Sequence, residues 1–163
     1  MLTAGLLDRL VATAPARIIN TASNAHRQGH LDFDDLQSAR HYSAFRVYGS
    51  SKLCNILFTR ESARRLAGRG VTANSFTPGF VATRFGDQAG GLYAAGVRVA
   101  KLLATTPEKG AETLVYLATS LEVANVSGRF LQNCRPGTLS AEAQDNAVAQ
   151  RLWRESERIA GTV

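Results

Sequence analysis

Apolar positions along the chain alternate between helical and strand-like spacing. Leu2, Leu6, Leu7, Leu10 and Val11 share one helical face, Asp8 and Arg9 lie on another, and Pro15 enforces the stop. ARIINTAS, from Ala16, reads as a short buried strand running into a polar loop. Helical spacing returns with Lys52, Leu53, Ile56, Leu57, Ala63, Leu66 and Ala67, and closes at Gly68 and Gly70. VTANSF, from Val71, is a second strand, broken at Pro78 and Gly79. Glycines 86, 90, 91 and 96, set among Phe85, Leu92 and Tyr93, suit a lid with an apolar face. Thr106 and Pro107 form an N-cap and first-turn proline for a helix through Ala118. GRFLQNC, from Gly128, is a third strand. Ser140 can cap a last helix, whose Val148, Leu152 and Trp153 would dock on the body.

Strands that alternate with helices, and that are apolar throughout, predict an α/β fold with a parallel sheet covered on both faces. Three strands are few for such a sheet.

Composition narrows the class. The chain has 163 residues, 45% of them apolar and 20% charged, which fits one globular domain. A net charge of +6 and a pI near 9.9 raise the question of nucleic acid. The arginines are interspersed with acids, as in RESARR and WRESER, and read as solvated helix faces with charge pairs at helical spacing. No aromatic-interleaved basic strand supports nucleic-acid binding. Two cysteines, Cys54 and Cys134, are no disulfide framework and fit a reducing compartment; Cys54 reads as inert core. MLTAGLLDRL lacks the features of a signal peptide, and no apolar run reaches the length of a membrane span. A cytoplasmic protein is the expectation.

Candidate chemistry centres on VYGSSK. It places Tyr48 and Lys52, one of only three lysines, four residues apart and so on one helix face. A phenol titrates near ~10 and is a poor base near neutral pH. A neighbouring ammonium favours the phenolate, so the pair can give a proton to a carbonyl oxygen or take one from an alcohol. That is the proton half of a hydride transfer, the other half belonging to a nicotinamide. The pair alone is a weak motif, equally readable as a half-exposed helix pair. Ser23 closes the first strand, and Thr83 follows the second, at the carboxyl ends where α/β sheets gather active residues. A serine hydroxyl there can stabilise charge developing on a substrate oxygen; it can equally satisfy a loop amide.

TASNAH, YGSSKLCNILFTRESARRL, VTANSFTPGFVATRF, TPEKGAETLVYLA and VSGRFLQNC, in this order, resemble the short-chain dehydrogenase/reductases, and most of all their retinol-dehydrogenase-like group with its protochlorophyllide-reductase relatives. The resemblance implies a Rossmann-like doubly wound parallel sheet and NAD or NADP as cofactor. It makes Tyr48 the acid/base, Lys52 its activator and a holder of the nicotinamide ribose, and Ser23 the group that orients the substrate. Pro78, Gly79, Val81 and Thr83 would line the nicotinamide end of the cofactor. Ser23 ends TAS, where many relatives have two serines and this chain has Ala22. The substrate would be an alcohol, ketone or aldehyde, an apolar one if the lid reading holds. The helix from Leu2 and the helix after Tyr48 would pack across a two-fold axis in a homodimer.

His26 beside Ser23 invites a hydrolase reading, but no G-x-S-x-G elbow and no motif-placed carboxylate accompany it. His26, His30 and His41 lack metal-ligand spacing, so no metal is expected and the three read as solvated or capping.

The family begins with a strand, a glycine-rich turn and a helix that binds the cofactor phosphates. Nothing of this precedes Leu2. Residues 1–163 are therefore expected to be a single partial domain, the second half of a dehydrogenase, with an unpaired apolar edge along Arg17 to Thr21. Marginal stability and self-association would follow. The alternative function is a non-catalytic fragment that serves as an interaction or dimerisation module, or has no activity.

Overall fold

The computed structural model describes residues 2–79 and 106–161. Val81, Thr83 and the glycine-bearing lid lie outside them. Helix α1 (Leu2–Ala12) leads to strand β1 (Ala16–Thr21), a 3-10 helix (Asn24–Gln28), helix α2 (Ala44–Arg65) and strand β2 (Val71–Thr77). Helix α3 (Pro107–Thr119), strands β3 (Phe130–Gln132) and β4 (Arg135–Pro136), and helices α4 (Ala141–Gln144) and α5 (Asn146–Ala160) follow.

The sheet order is β1-β2-β3-β4, with β1, β2 and β3 parallel and β4 antiparallel to β3. The expected three parallel strands are thus joined by a fourth, short one. A two-residue turn makes it, with Asn133 at φ +50° and Cys134 at φ +60°. Two left-handed residues match the right-handed twist of a hairpin.

Helices cover both faces, which defines the doubly wound arrangement. Side chains alternate along a strand. Ile18 and Ala73 therefore face α2, packing with Leu66, Ala63 and, from α1, Leu7, Leu10 and Val11. Phe76 faces the other way, toward Leu117 of α3, with Val123 and Leu131. β2 is buried almost along its length. β1, paired only with β2, is a sheet edge among the described residues, as expected. Leu2 is 78% exposed and Leu6 46%, so half of the apolar face of α1 is bare.

The largest core joins Leu53, Ile56 and Leu57 of α2 to Phe130, Ala143, Ala149 and Leu152. α5 docks there as expected. Its Trp153 stacks on Phe58 at 5.2 Å, and the Arg65 guanidinium lies 4.4 Å from the Trp153 ring centroid. The expected charge pairs form, Glu61 with Arg64 and Arg65, and Glu155 with Arg158. The face is not fully solvated, however: Glu61 is buried, and the Arg64 guanidinium, then Arg65, hold its carboxyl below the usual range. The last helix is also two helices rather than one. Ser140 caps α4, but the Asp145 carboxylate accepts from the amides of Ala147 (2.7 Å) and Val148 (3.2 Å) and starts α5 afresh.

Candidate active site

Ser23 stands two residues beyond the end of β1, in extended backbone, and caps the 3-10 helix. Its Oγ accepts the Ala25 amide at 3.2 Å. One lone pair thus satisfies the loop, and the hydroxyl proton has no acceptor among the described residues.

Tyr48 and Lys52 lie in the second and third turns of α2. Both are half-buried, and the Lys52 ammonium is 5.5 Å from the Tyr48 ring centroid. Among the described residues no carboxylate lies within ion-pair distance of Lys52. The glycines that place this turn against the Ser23 loop were not singled out by sequence reasoning. A Cβ on Gly49 would lie 2.9 Å from the Ala25 carbonyl oxygen, and one on Gly29 only 2.5 Å from the Gly49 carbonyl oxygen. The segment after Ser23 and the turn bearing Tyr48 thus pack backbone against backbone. Ser50 clamps the contact: its hydroxyl donates to the His30 carbonyl at 2.7 Å and accepts the His30 amide at 3.3 Å. A glycine inside an otherwise helical run is the signal that finds this contact.

Further down α2, the Asn55 amide donates to the Thr21 carbonyl at 2.9 Å, and Asn20 of β1 donates to Thr59 at 2.9 Å. These bonds fix the end of β1 against the helix one turn after Lys52. Pro78 and Gly79 follow β2, which is hydrogen-bonded in register to β1, so both strand ends open on one edge. Gly79 has φ +76°, and among the described residues nothing lies within 4 Å of where its Cβ would be.

His26 corrects the expectation of a solvated or capping histidine, since it is fully buried. Its Nδ1 is 2.7 Å from the Ser23 carbonyl oxygen, and its Nε2 accepts the Ser140 amide at 3.3 Å. The ring therefore addresses the Ser23 backbone and not Oγ, which removes the hydrolase reading. Burial first, and the Arg27 charge beside it, push the imidazole below its ordinary 6.5, against the pull of the Ser23 carbonyl bond. His30 and His41 are exposed, as expected. Among the described residues no cluster of His, Cys, Asp or Glu suits a metal.

Cys54 packs beside the main core, and burial pushes its thiol up to about 11, the behaviour of an inert side chain. Asn24, also missed in the sequence, donates to the Gln132 side chain at 3.3 Å, while its buried Oδ1 has no partner among the described residues. A surface groove of about 420 Å³ runs along the β3–β4 hairpin past Gln132 and Gly137, away from Tyr48. No helix of the described residues is long and apolar enough to cross a membrane.

A family model for short chain dehydrogenases matches residues 1–94. Human retinol dehydrogenase 13 is 43% identical over 167 residues, covering 99% of this chain and 50% of its own length. Human retinol dehydrogenase 14 is 41% identical, covering 99% and 49%. The chain spans about half the length of these relatives. Among solved structures, an uncharacterised protein from Mycobacterium paratuberculosis superposes with a TM-score of 0.63 at 27% identity, over 88% of this chain and 49% of its own. A Beutenbergia cavernae protein assigned as an NAD(P)-dependent gluconate 5-dehydrogenase, with NADP bound, gives 0.60 at 27%, over 81% and 49%. The matched family model spans more than half of residues 1–163, and the chain belongs to the short-chain dehydrogenase family.

Proposed function

We propose that this chain carries the proton-transfer half of an NAD(P)-dependent oxidoreductase acting on an alcohol or a carbonyl compound. The observation that carries the reading is the Lys52 ammonium 5.5 Å from the Tyr48 ring centroid on one face of α2, paired with no carboxylate among the described residues. An ammonium so placed, and claimed by no carboxylate there, is available to favour the phenolate.

The described residues suit the nicotinamide–ribose end of the cofactor. Lys52 offers three donors to ribose hydroxyls. Gly79, at φ +76° with no described residue within 4 Å of where its Cβ would be, would let a ligand approach the backbone. Pro78, Val81 and Thr83 would complete that wall. A nicotinamide bound there would supply or accept the hydride. Tyr48 would donate its phenolic proton to the substrate oxygen in reduction, or take the hydroxyl proton in oxidation. Lys52 would stabilise the phenolate left behind. Ser23 would donate its hydroxyl proton, unclaimed by any described acceptor, to the same oxygen. Retinol dehydrogenases among the relatives support an apolar substrate, and the bare face of α1, with Leu2 and Leu6 exposed, supports a homodimer.

The test is a fluorescence titration of the purified chain with NADH and NADPH, repeated on Lys52→Ala. Saturable binding weakened about tenfold or more in the variant is expected, the worth of one charge-assisted hydrogen bond. Equal binding by both proteins would remove the ribose contact. No binding to a folded chain would favour the non-catalytic module.

A further inference from the structure

His26 takes no part in the proton transfer above, yet it is completely buried and makes two bonds to backbone groups 117 positions apart, Ser23 and Ser140. Ser23 carries the candidate catalytic hydroxyl. Ser140 is the N-cap of α4, its Oγ accepting the Ala143 amide. A carbonyl oxygen only accepts and an amide N–H only donates. The two bonds therefore hold together only when the imidazole is neutral with its proton on Nδ1. The Phe130 ring packs edge-on against the imidazole, 5.3 Å away at 69°, and the imidazole is fully buried.

The second fastening of α4 lies next door. Glu142 accepts the Leu31 amide with Oε1 at 3.0 Å, and its Oε2 lies 2.9 Å from His30 Nδ1. Residues 140–142 thus strap the Ser23–Leu31 loop at both ends, and that loop in turn packs on the Tyr48 turn through Gly29 and Gly49. The charged and titratable groups at the strap are Arg27, which acts on His26 from its own 3-10 helix, and the Glu142–His30 pair between α4 and the loop. β3 presents the uncharged Phe130, and α2 presents Gly49 and Ser50.

We propose that neutral His26 is a positioning residue, which holds Ser23 by its carbonyl and ties it to the α4 cap, and that protonation of the ring disconnects the two. The catalytic meaning of this link rests on the role proposed for Ser23. A protonated ring still donates to the Ser23 carbonyl, but it points an N–H at the Ser140 N–H, where neither can accept. The strap must then lift at residue 140. Ser23 then keeps its bonds to the His26 ring and to the His26 amide, at 3.1 Å, but the ring's tie to the α4 cap is lost. Burial and Arg27 place this event on the acid side of 6.5.

The experiment is NMR on the ¹⁵N-labelled 163-residue chain, with no cofactor and no turnover, so its result is independent of the oxidoreductase reading. Long-range proton–nitrogen spectra of the imidazoles give the tautomer. Amide exchange at Ser140 and the chemical shift of the Ala25 amide, which donates to Ser23 Oγ, are followed from pH 7.5 downward. The expected result is an Nδ1–H tautomer. Ser140 protection should drop about tenfold or more as His26 titrates, the loss of one hydrogen bond, with the Ala25 shift moving at the same midpoint. His26→Phe should show the low protection at every pH. An Nε2–H tautomer would overturn the proposal. So would Ser140 protection or an Ala25 shift indifferent to the ring's protonation. The wild-type titration decides even where the Phe variant fails to fold.

Discussion

Adding one methyl group to Gly49 is expected to destabilise the chain, although glycine-to-alanine changes inside helices ordinarily stabilise. Alanine gains about 1 kcal/mol over glycine in a helix interior. Gly5, in α1 with nothing among the described residues within 4 Å of its would-be Cβ, should show that gain undisturbed. At Gly49 the new carbon lands 2.9 Å from the Ala25 carbonyl oxygen and 3.1 Å from the Gly29 nitrogen, both backbone atoms that no rotamer change can move. Forcing an extra carbon into such a contact costs about 1–3 kcal/mol. The helix gain of about 1 kcal/mol offsets part of this, leaving Gly49→Ala up to about 2 kcal/mol less stable, or up to about 8 °C in Tm for a chain of this size. Gly29→Ala is more severe, with 2.5 Å to the Gly49 oxygen. Its φ of −78° suits any residue, so the clash and not backbone strain decides the sign. Urea unfolding of wild type, Gly5→Ala, Gly29→Ala and Gly49→Ala gives the comparison. Equal stability of Gly49→Ala and Gly5→Ala would refute the backbone contact that sets Tyr48 against the Ser23 loop.

Two further outcomes follow from titrating groups. Stability should fall with acid in two separate windows. The unfolded imidazole at 6.5 takes a proton before the buried His26 does, so this contribution is complete above about 6.5 and is lost as pH falls below it. Glu61, held below the usual 4.5 by Arg64 and Arg65, contributes above about 4.5 and loses its share below that. Urea midpoints from pH 8 to pH 3 check both, and a midpoint flat between pH 7 and pH 5.5 would contradict the first. Cys54, with its thiol near 11, should resist iodoacetamide at pH 8 in the folded chain and react once urea is added; mass spectrometry of the labelled peptides reads it.

Much of the fold was legible because its signals are local. Tyr48 and Lys52 share a helix face simply by their spacing, and the strand patterns at Ala16 and Val71 held to within two residues. What escaped depends on distant partners. β4 exists because Asn133 and Cys134 take left-handed backbone, and Cys134 hides a turn that glycine would have announced. The Asp145 break was present in the sequence as a second capping residue, masked by continuous helical spacing across it. His26 reads as a loop histidine until Phe130 and Ser140, more than 100 residues away, close over it. The Ser23 loop and the Tyr48 turn likewise meet through two glycines whose importance lies wholly in what they leave out.

The most direct test of the account is reduction of an apolar aldehyde by the chain with NADH or NADPH, wild type against Tyr48→Phe, both shown to be folded and to bind cofactor. The phenyl ring keeps the face that Lys52 lies over and removes the hydroxyl that carries the transferable proton. Turnover by wild type, reduced by about 10²-fold or more in Tyr48→Phe with cofactor binding unchanged, is the predicted result. Comparable turnover in the two proteins would contradict the role of Tyr48, and absence of turnover in a cofactor-bound wild-type chain would contradict the oxidoreductase reading of this half.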